Sequence, residues 1–101
     1  MAYITIVRGR LAQVDLAAAR ERHNAIVAKL EPATRQIGGT GHRAFASAED
    51  PRDFLAIDMW ESAAGPQRLM SDPAAAAELA SLFEGGPNVT VWEAREGWSS
   101  F

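Results

Sequence analysis

Apolar and polar positions change period several times along the chain, and each change marks an element. Residues 3–8 (Tyr-Ile-Thr-Ile-Val-Arg) are β-branched and aromatic, which predicts a strand, with Gly9 as its bulge or exit. Asp15 stands where an N-cap belongs, and apolar positions then recur in steps of three and four through Leu16, Ala19, Ile26 and Leu30. His23 lies inside that stripe. Pro32 is expected to end or bend this helix near Leu30 or Glu31. Gly38-Gly39 turns the chain into a second strand over 41–48, and a turn at 48–51 closes a hairpin into a third strand over 54–61. Ser62 could cap a short helix. Asp72-Pro73 combines an N-cap with proline at the first helical position, and the helix it opens presents Ala75, Leu79, Leu82 and Phe83 on one face. Gly85-Gly86-Pro87 stops it, and residues 88–96 form the last strand before an aromatic tail ending in Trp98 and Phe101.

The order is β-α-β-β-α-β, an α+β ferredoxin-like arrangement with an antiparallel sheet and its helices on one face. An antiparallel sheet with one wet face alternates apolar and polar residues along each strand. Strand three does not: Leu55, Ile57 and Met59 alternate with Phe54, Ala56 and Trp60. Strand one behaves alike. Something must cover the second face, and a second copy of the chain is the simplest cover, so a homodimer packed sheet to sheet is expected.

Composition narrows the classes. The 101 residues are 48% hydrophobic and 23% charged, which suits one globular domain over 1–101 rather than disorder or two domains. There is no cysteine, so thiol nucleophiles, thiolate metal sites and disulfides are excluded. Ten Lys+Arg against thirteen Asp+Glu leave a net charge of −3, with the basic residues scattered, so a nucleic-acid partner is not expected. No apolar run is long enough to span a membrane, and the start reads as a strand and not as a signal peptide; the expected location is the cytoplasm.

His23 points an imidazole at the sheet from the middle of an apolar stripe. Imidazole titrates near neutrality and is the usual group for moving a proton, although a histidine so placed also serves as a satisfied core or rim residue. Asp58 shares a strand face with Trp60. It could accept a hydroxyl proton, orient His23, or form an ion pair with Arg43 or Arg8. His42 and Arg43 are expected to face solvent or the dimer seam, and Trp98 and Phe101 to contact a partner or dock as a tail.

The segment 37–73 carries a recognisable pattern: Ile37-Gly38 at the helix end, the Asp50-Pro51 turn, Asp58-Met59-Trp60 closing a strand, Glu61-Ser62 after it, then Asp72-Pro73. It resembles the antibiotic biosynthesis monooxygenase family of the dimeric α/β-barrel superfamily. The resemblance implies a homodimer whose sheets form a barrel, with a ligand cavity in each subunit between sheet and helices. It implies a cofactor-independent monooxygenase of a small aromatic substrate (a quinol, phenol or anthrone type). Trp60 takes the place of the family's pocket tryptophan. Tyr3, Trp92 and Phe83 are further candidates for the cavity wall, or else core. His23 is the candidate base and Asp58 its hydrogen-bonding partner, with no metal and no cofactor. Ala56 stands where polyketide oxygenases of the family carry asparagine, and residues 66–70 lack the histidine of the quinol oxygenases. The positions at which the family's haem degraders bind iron offer no ligand. A non-catalytic small-molecule binding or sensing dimer of the same fold is the alternative.

Overall fold

The computed structural model describes residues 2–101. Its elements run β1 (Tyr3–Arg10), α1 (Leu16–Gln36), β2 (Gly39–Ala46), β3 (Asp53–Trp60), α2 (Ala64–Met70), α3 (Pro73–Ala80) and β4 (Asn88–Glu93). The four strands form one antiparallel sheet in the order β2-β3-β1-β4, the ferredoxin-like topology expected from the element order.

Local chemistry accounts for the helix starts. The Asp15 side chain accepts a hydrogen bond from the Ala17 N–H at 3.0 Å, and Asp72 does the same for Ala74 at 3.0 Å with Pro73 following it. Four expected boundaries are corrected. Helix α1 runs through Pro32 to Gln36. Pro32 sits on the exposed side, where the carbonyl it leaves unbonded can be hydrated, while Leu30 and Thr34 keep the inner side packed. Strand β1 runs through Gly9 to Arg10, and the glycine is there for close approach. A Cβ at Gly9 would lie 2.6 Å from Cδ1 of Phe83. Strand β2 spans 39–46 and not 41–48, with a register shift between Gly39 and Gly41, and β4 stops at Glu93.

All three helices sit on one side of the sheet. Val7, Phe54 and Ala56 are buried there against Ala19 and Ile26 of α1 and against Leu82 and Phe83 beyond α3. The opposite face carries Ile4, Ile6, Leu55 and Ile57, all half-buried, with Met59 42% and Trp92 55% exposed. The sequence-based expectation of a sheet apolar on both faces therefore matches the structure. Trp98 and Phe101 in the tail are exposed. Among the described residues no helix is long and apolar enough to cross a membrane.

Exposed ion pairs tie the end of β1 to the β2–β3 hairpin: Arg8 to Asp53 at 2.9 Å and Arg10 to Asp50 at 2.9 Å. The Arg8 hydrogen bond holds the Asp53 carboxyl below its ordinary range, and Arg10 together with the Arg52 backbone N–H does the same for Asp50.

Two predictions follow from these contacts. Pro32→Ala restores a helical N–H and should raise the free energy of unfolding by about 1–2 kcal/mol; that is less than the ~3 kcal/mol of a typical interior proline, because the unfolded chain also gains freedom. Urea denaturation checks it. Depressed carboxyl values mean stability that is full above the ordinary carboxylate range and lost as pH falls through the lower folded values. Asp53→Asn should therefore flatten the acid limb of a melting-temperature profile and leave the profile near pH 7 parallel to that of the parent.

Candidate functional site

The strand registers bring one row of polar side chains under the helices. Thr5 of β1 pairs with Asp58 of β3, and His42 of β2 pairs with Asp58 from the other side. Since opposed residues share a face, all three side chains point toward α1, and His23 on that helix closes over them. Trp60, two residues beyond Asp58, points the same way.

The side chains form a continuous hydrogen-bonded chain. Buried Trp60 donates its Nε1–H to Thr5 Oγ1 at 3.1 Å, and the Thr5 hydroxyl reaches Asp58 Oδ2 at 3.4 Å. Asp58 Oδ1 lies 2.5 Å from His42 Nδ1. His42 Nε2 lies 3.0 Å from His23 Nε2, and His23 Nδ1 is 2.9 Å from Asn24 Oδ1 at the surface. The two imidazoles meet nearly end to end, with ring centroids 5.1 Å apart and planes 24° off parallel. The His23 ring also lies against Phe54, at 5.5 Å between centroids. Asp58 thus uses both oxygens.

This chain lines a cavity of about 310 Å³ between the sheet and the helices. Val7, Ile26, Leu30, Leu82 and Val89 make its walls apolar, Pro66 and Leu69 of α2 close one side, and Glu31, Arg35 and Met70 border it where the surface is exposed. Trp60 is held flat against α2: a Cβ on Gly65 would come 2.5 Å from its Cε3, so only glycine permits the helix to approach this closely. An apolar hollow with a few convergent polar groups has the make-up of a small-molecule site. Among the described residues no group of three or more His, Cys, Asp or Glu side chains converges as a metal cage.

Of the residues singled out from sequence, His23, Asp58, Trp60 and Phe83 line the cavity together. Phe83 packs against Phe54, with centroids 5.7 Å apart. Tyr3 is half-buried at the far end of β1 and is not part of the wall. Trp92 is on the opposite face of the sheet, where its Nε1–H is donated to Thr90 Oγ1 at 2.8 Å, because its register position pairs with Ile4 of the open face. Asp58 pairs with neither arginine: Arg8 is taken by Asp53, and Arg43 projects from the other face of β2 over Phe45. Nor does Asp58 touch His23 directly; His42 stands between them.

His42 is exposed, as expected, but the sequence reading missed its partners: it is the link between the Asp58 carboxylate and His23 of the helix. A signal was present. Counting outward from the Asp50-Pro51 turn pairs 46 with 54 and therefore 42 with 58, which puts His42 and Asp58 on one face. Thr5 was missed for the same reason, as a strand threonine whose partner is set by register.

No protein-family model matches the chain, and no curated protein matches its sequence. Solved structures do match its fold. A mutant form of SnoaB, a cofactor-independent oxygenase from Streptomyces nogalater, superposes with a TM-score of 0.73 over 98% of both chains at 17% identity. A crystallised antibiotic biosynthesis monooxygenase matches with a TM-score of 0.68 and 16% identity, over 94% of this chain and 99% of that one. A dimeric ferredoxin-like protein from Jannaschia matches at 0.66 and 13%, over 93% and 100%. In fold, along nearly its whole length, the chain is of the kind found in antibiotic biosynthesis monooxygenases.

Proposed function

We propose that the protein is a cofactor-independent monooxygenase of a small planar phenol, quinol or anthrone-type molecule, working as a homodimer. The observation that carries this reading is the Asp58–His42–His23 chain set into the wall of an apolar cavity beside Trp60. An electron-rich aromatic anion reacts with dioxygen directly, so the protein has only to remove a proton, hold the anion and exclude water. Trp60 and Phe83 supply flat apolar surface for the ring. The imidazole–carboxylate chain takes the proton.

For an anthrone-type substrate the atoms balance without further reagents. The chain accepts a proton from the reacting carbon or its enol hydroxyl, leaving the anion. One electron passes to dioxygen and the two radicals join, so that a carbon–oxygen bond forms. The chain returns its proton to the terminal oxygen, giving a hydroperoxide. Loss of the remaining proton on that carbon breaks the O–O bond, the carbonyl forms, and hydroxide leaves and is protonated to water. Dioxygen is reduced, the substrate carbon is oxidised, and the protein ends as it began. The hydrogen bond that His42 Nδ1–H donates to Asp58 Oδ1 keeps the base oriented, the role a carboxylate plays behind a general-base histidine.

The open sheet face supports the dimer. Ile57, Leu55 and Met59 form the middle of an apolar patch that a second copy would bury, completing the barrel expected from the resemblance.

Two experiments test this reading. Purified protein should consume one dioxygen per molecule of a naphthoquinol or anthrone, and His42→Ala and Asp58→Asn should each lower kcat by ~10²- to 10⁴-fold, the range of general acid–base catalysis. Tight ligand binding with no oxygen uptake would instead favour a binding or sensing module. In sedimentation velocity the parent should run as a dimer and Ile57→Asp as a folded monomer; a monomeric parent removes the dimer from the account.

A further inference from the structure

The side chains around Asp58 carry a proton count that can be read from geometry. Three of the chain's five links depend on an imidazole for their proton: Asp58 Oδ1 to His42 Nδ1, His42 Nε2 to His23 Nε2, and His23 Nδ1 to Asn24 Oδ1. Each link needs one proton, since lone pairs facing one another repel. A neutral imidazole carries one N–H and a carboxylate carries none, so a carboxylate with two neutral imidazoles has one proton too few. Filling every link adds one proton, and that proton cancels the carboxylate charge. The assembly is then neutral as a whole, with every facing pair of polar atoms satisfied.

We infer that Asp58, His42 and His23 together hold one proton in each of these three links, and that the row is a relay storing one proton beyond the neutral imidazoles and exchanging it with solvent at the Asn24 end. Its role in turnover rests on the function proposed above. At the inner end the half-buried Asp58 lines the cavity and its Oδ2 accepts from Thr5, whereas His42 and Asn24 are exposed. When the store has given its proton to water at His23 Nδ1, it can take one from a substrate hydroxyl: the substrate O–H bond breaks, an N–H or carboxyl O–H bond forms, and the negative charge moves from the relay to the substrate. His42 is thereby assigned as the residue coupling the cavity to the surface. The remaining charged groups of the cavity wall, Glu31 and Arg35, are paired with each other at 3.3 Å on α1.

Two imidazole nitrogens converging with a carboxylate behind one of them is also how a histidine-bound metal is backed. The end-to-end alignment of the rings argues for the proton. The nitrogens aim at each other and not at a common third point, and the described residues bring no third ligand.

Long-range ¹H–¹⁵N correlation on ¹⁵N-labelled, metal-free protein near neutral pH reads the count directly and needs no substrate. Expected are proton couplings at His42 Nδ1, at His23 Nδ1, and one shared by the two Nε2 atoms. Asn24→Leu, an exposed change, should alter the His23 Nδ1 signal and leave that of His42 Nδ1 in place. Two protons in total, with His23 Nδ1 bare and the Asn24 amide donating to it, would overturn the inference. So would stoichiometric uptake of added zinc or nickel chloride that is abolished by both His42→Gln and His23→Gln. With a productive quinol, Asn24→Leu should lower kcat several-fold at unchanged KM, and an unchanged kcat would overturn the exchange role. If no quinol turns over, the proposed function and the exchange role fail together, while the proton count is decided by the spectrum alone.

Discussion

A carboxylate turned toward an apolar cavity must have its charge answered, and Asp58 is that carboxylate. Its two oxygens are answered by the Thr5 hydroxyl and the His42 imidazole. The constraint is met by strand register. Pairing β1, β3 and β2 places Thr5, Asp58 and His42 in one row across the sheet, and a slip of one residue in either pairing would send the partner to the opposite face. Helix α1 then sets His23 over the row. Polar matching and apolar packing thus specify the same arrangement, the kind of agreement between levels that gives a sequence one structure.

The sheet faces two environments with different demands. Under the helices, Ile26, Phe54, Leu82 and Phe83 form a core that stops short of filling the space, leaving the hollow beside Trp60. Trp60 is 4% exposed and hydrogen-bonded to Thr5, so the cavity wall is held rigidly instead of collapsing inward. The other face is apolar without any cover from its own chain. The cavity and the uncovered apolar face therefore lie on opposite sides of the same strands, and Asp58 and Ile57, adjacent in sequence, belong one to each.

Much of the architecture was legible from period and punctuation. The two aspartate caps, the Asp50-Pro51 turn and the glycine stops located the elements, and the doubled apolar pattern of β3 disclosed the uncovered face. Pro32 misled because local propensity is outweighed when a helix is packed on both sides of an exposed proline. At the site, His23, Asp58, Trp60 and Phe83 could be picked out by face and spacing. Trp92 could not be assigned without knowing which neighbour on β1 it opposes, and His42 looked like an ordinary hairpin residue until its partner was known. Side-chain identity within one element was readable; juxtaposition across strands needed register.

The central claim is that the hollow recognises a hydroxyl through the row that begins at Asp58, and not merely an aromatic shape. Titration calorimetry with a naphthol and with its methyl ether, two ligands of nearly the same form, tests it most directly. The account predicts that the naphthol binds at least tenfold more tightly to the parent protein and that Asp58→Asn removes most of that preference, since a site built for a hydroxyl discriminates strongly against an analogue unable to donate. Equal affinity for the two ligands in the parent would show an apolar pocket indifferent to the hydroxyl, and would contradict it.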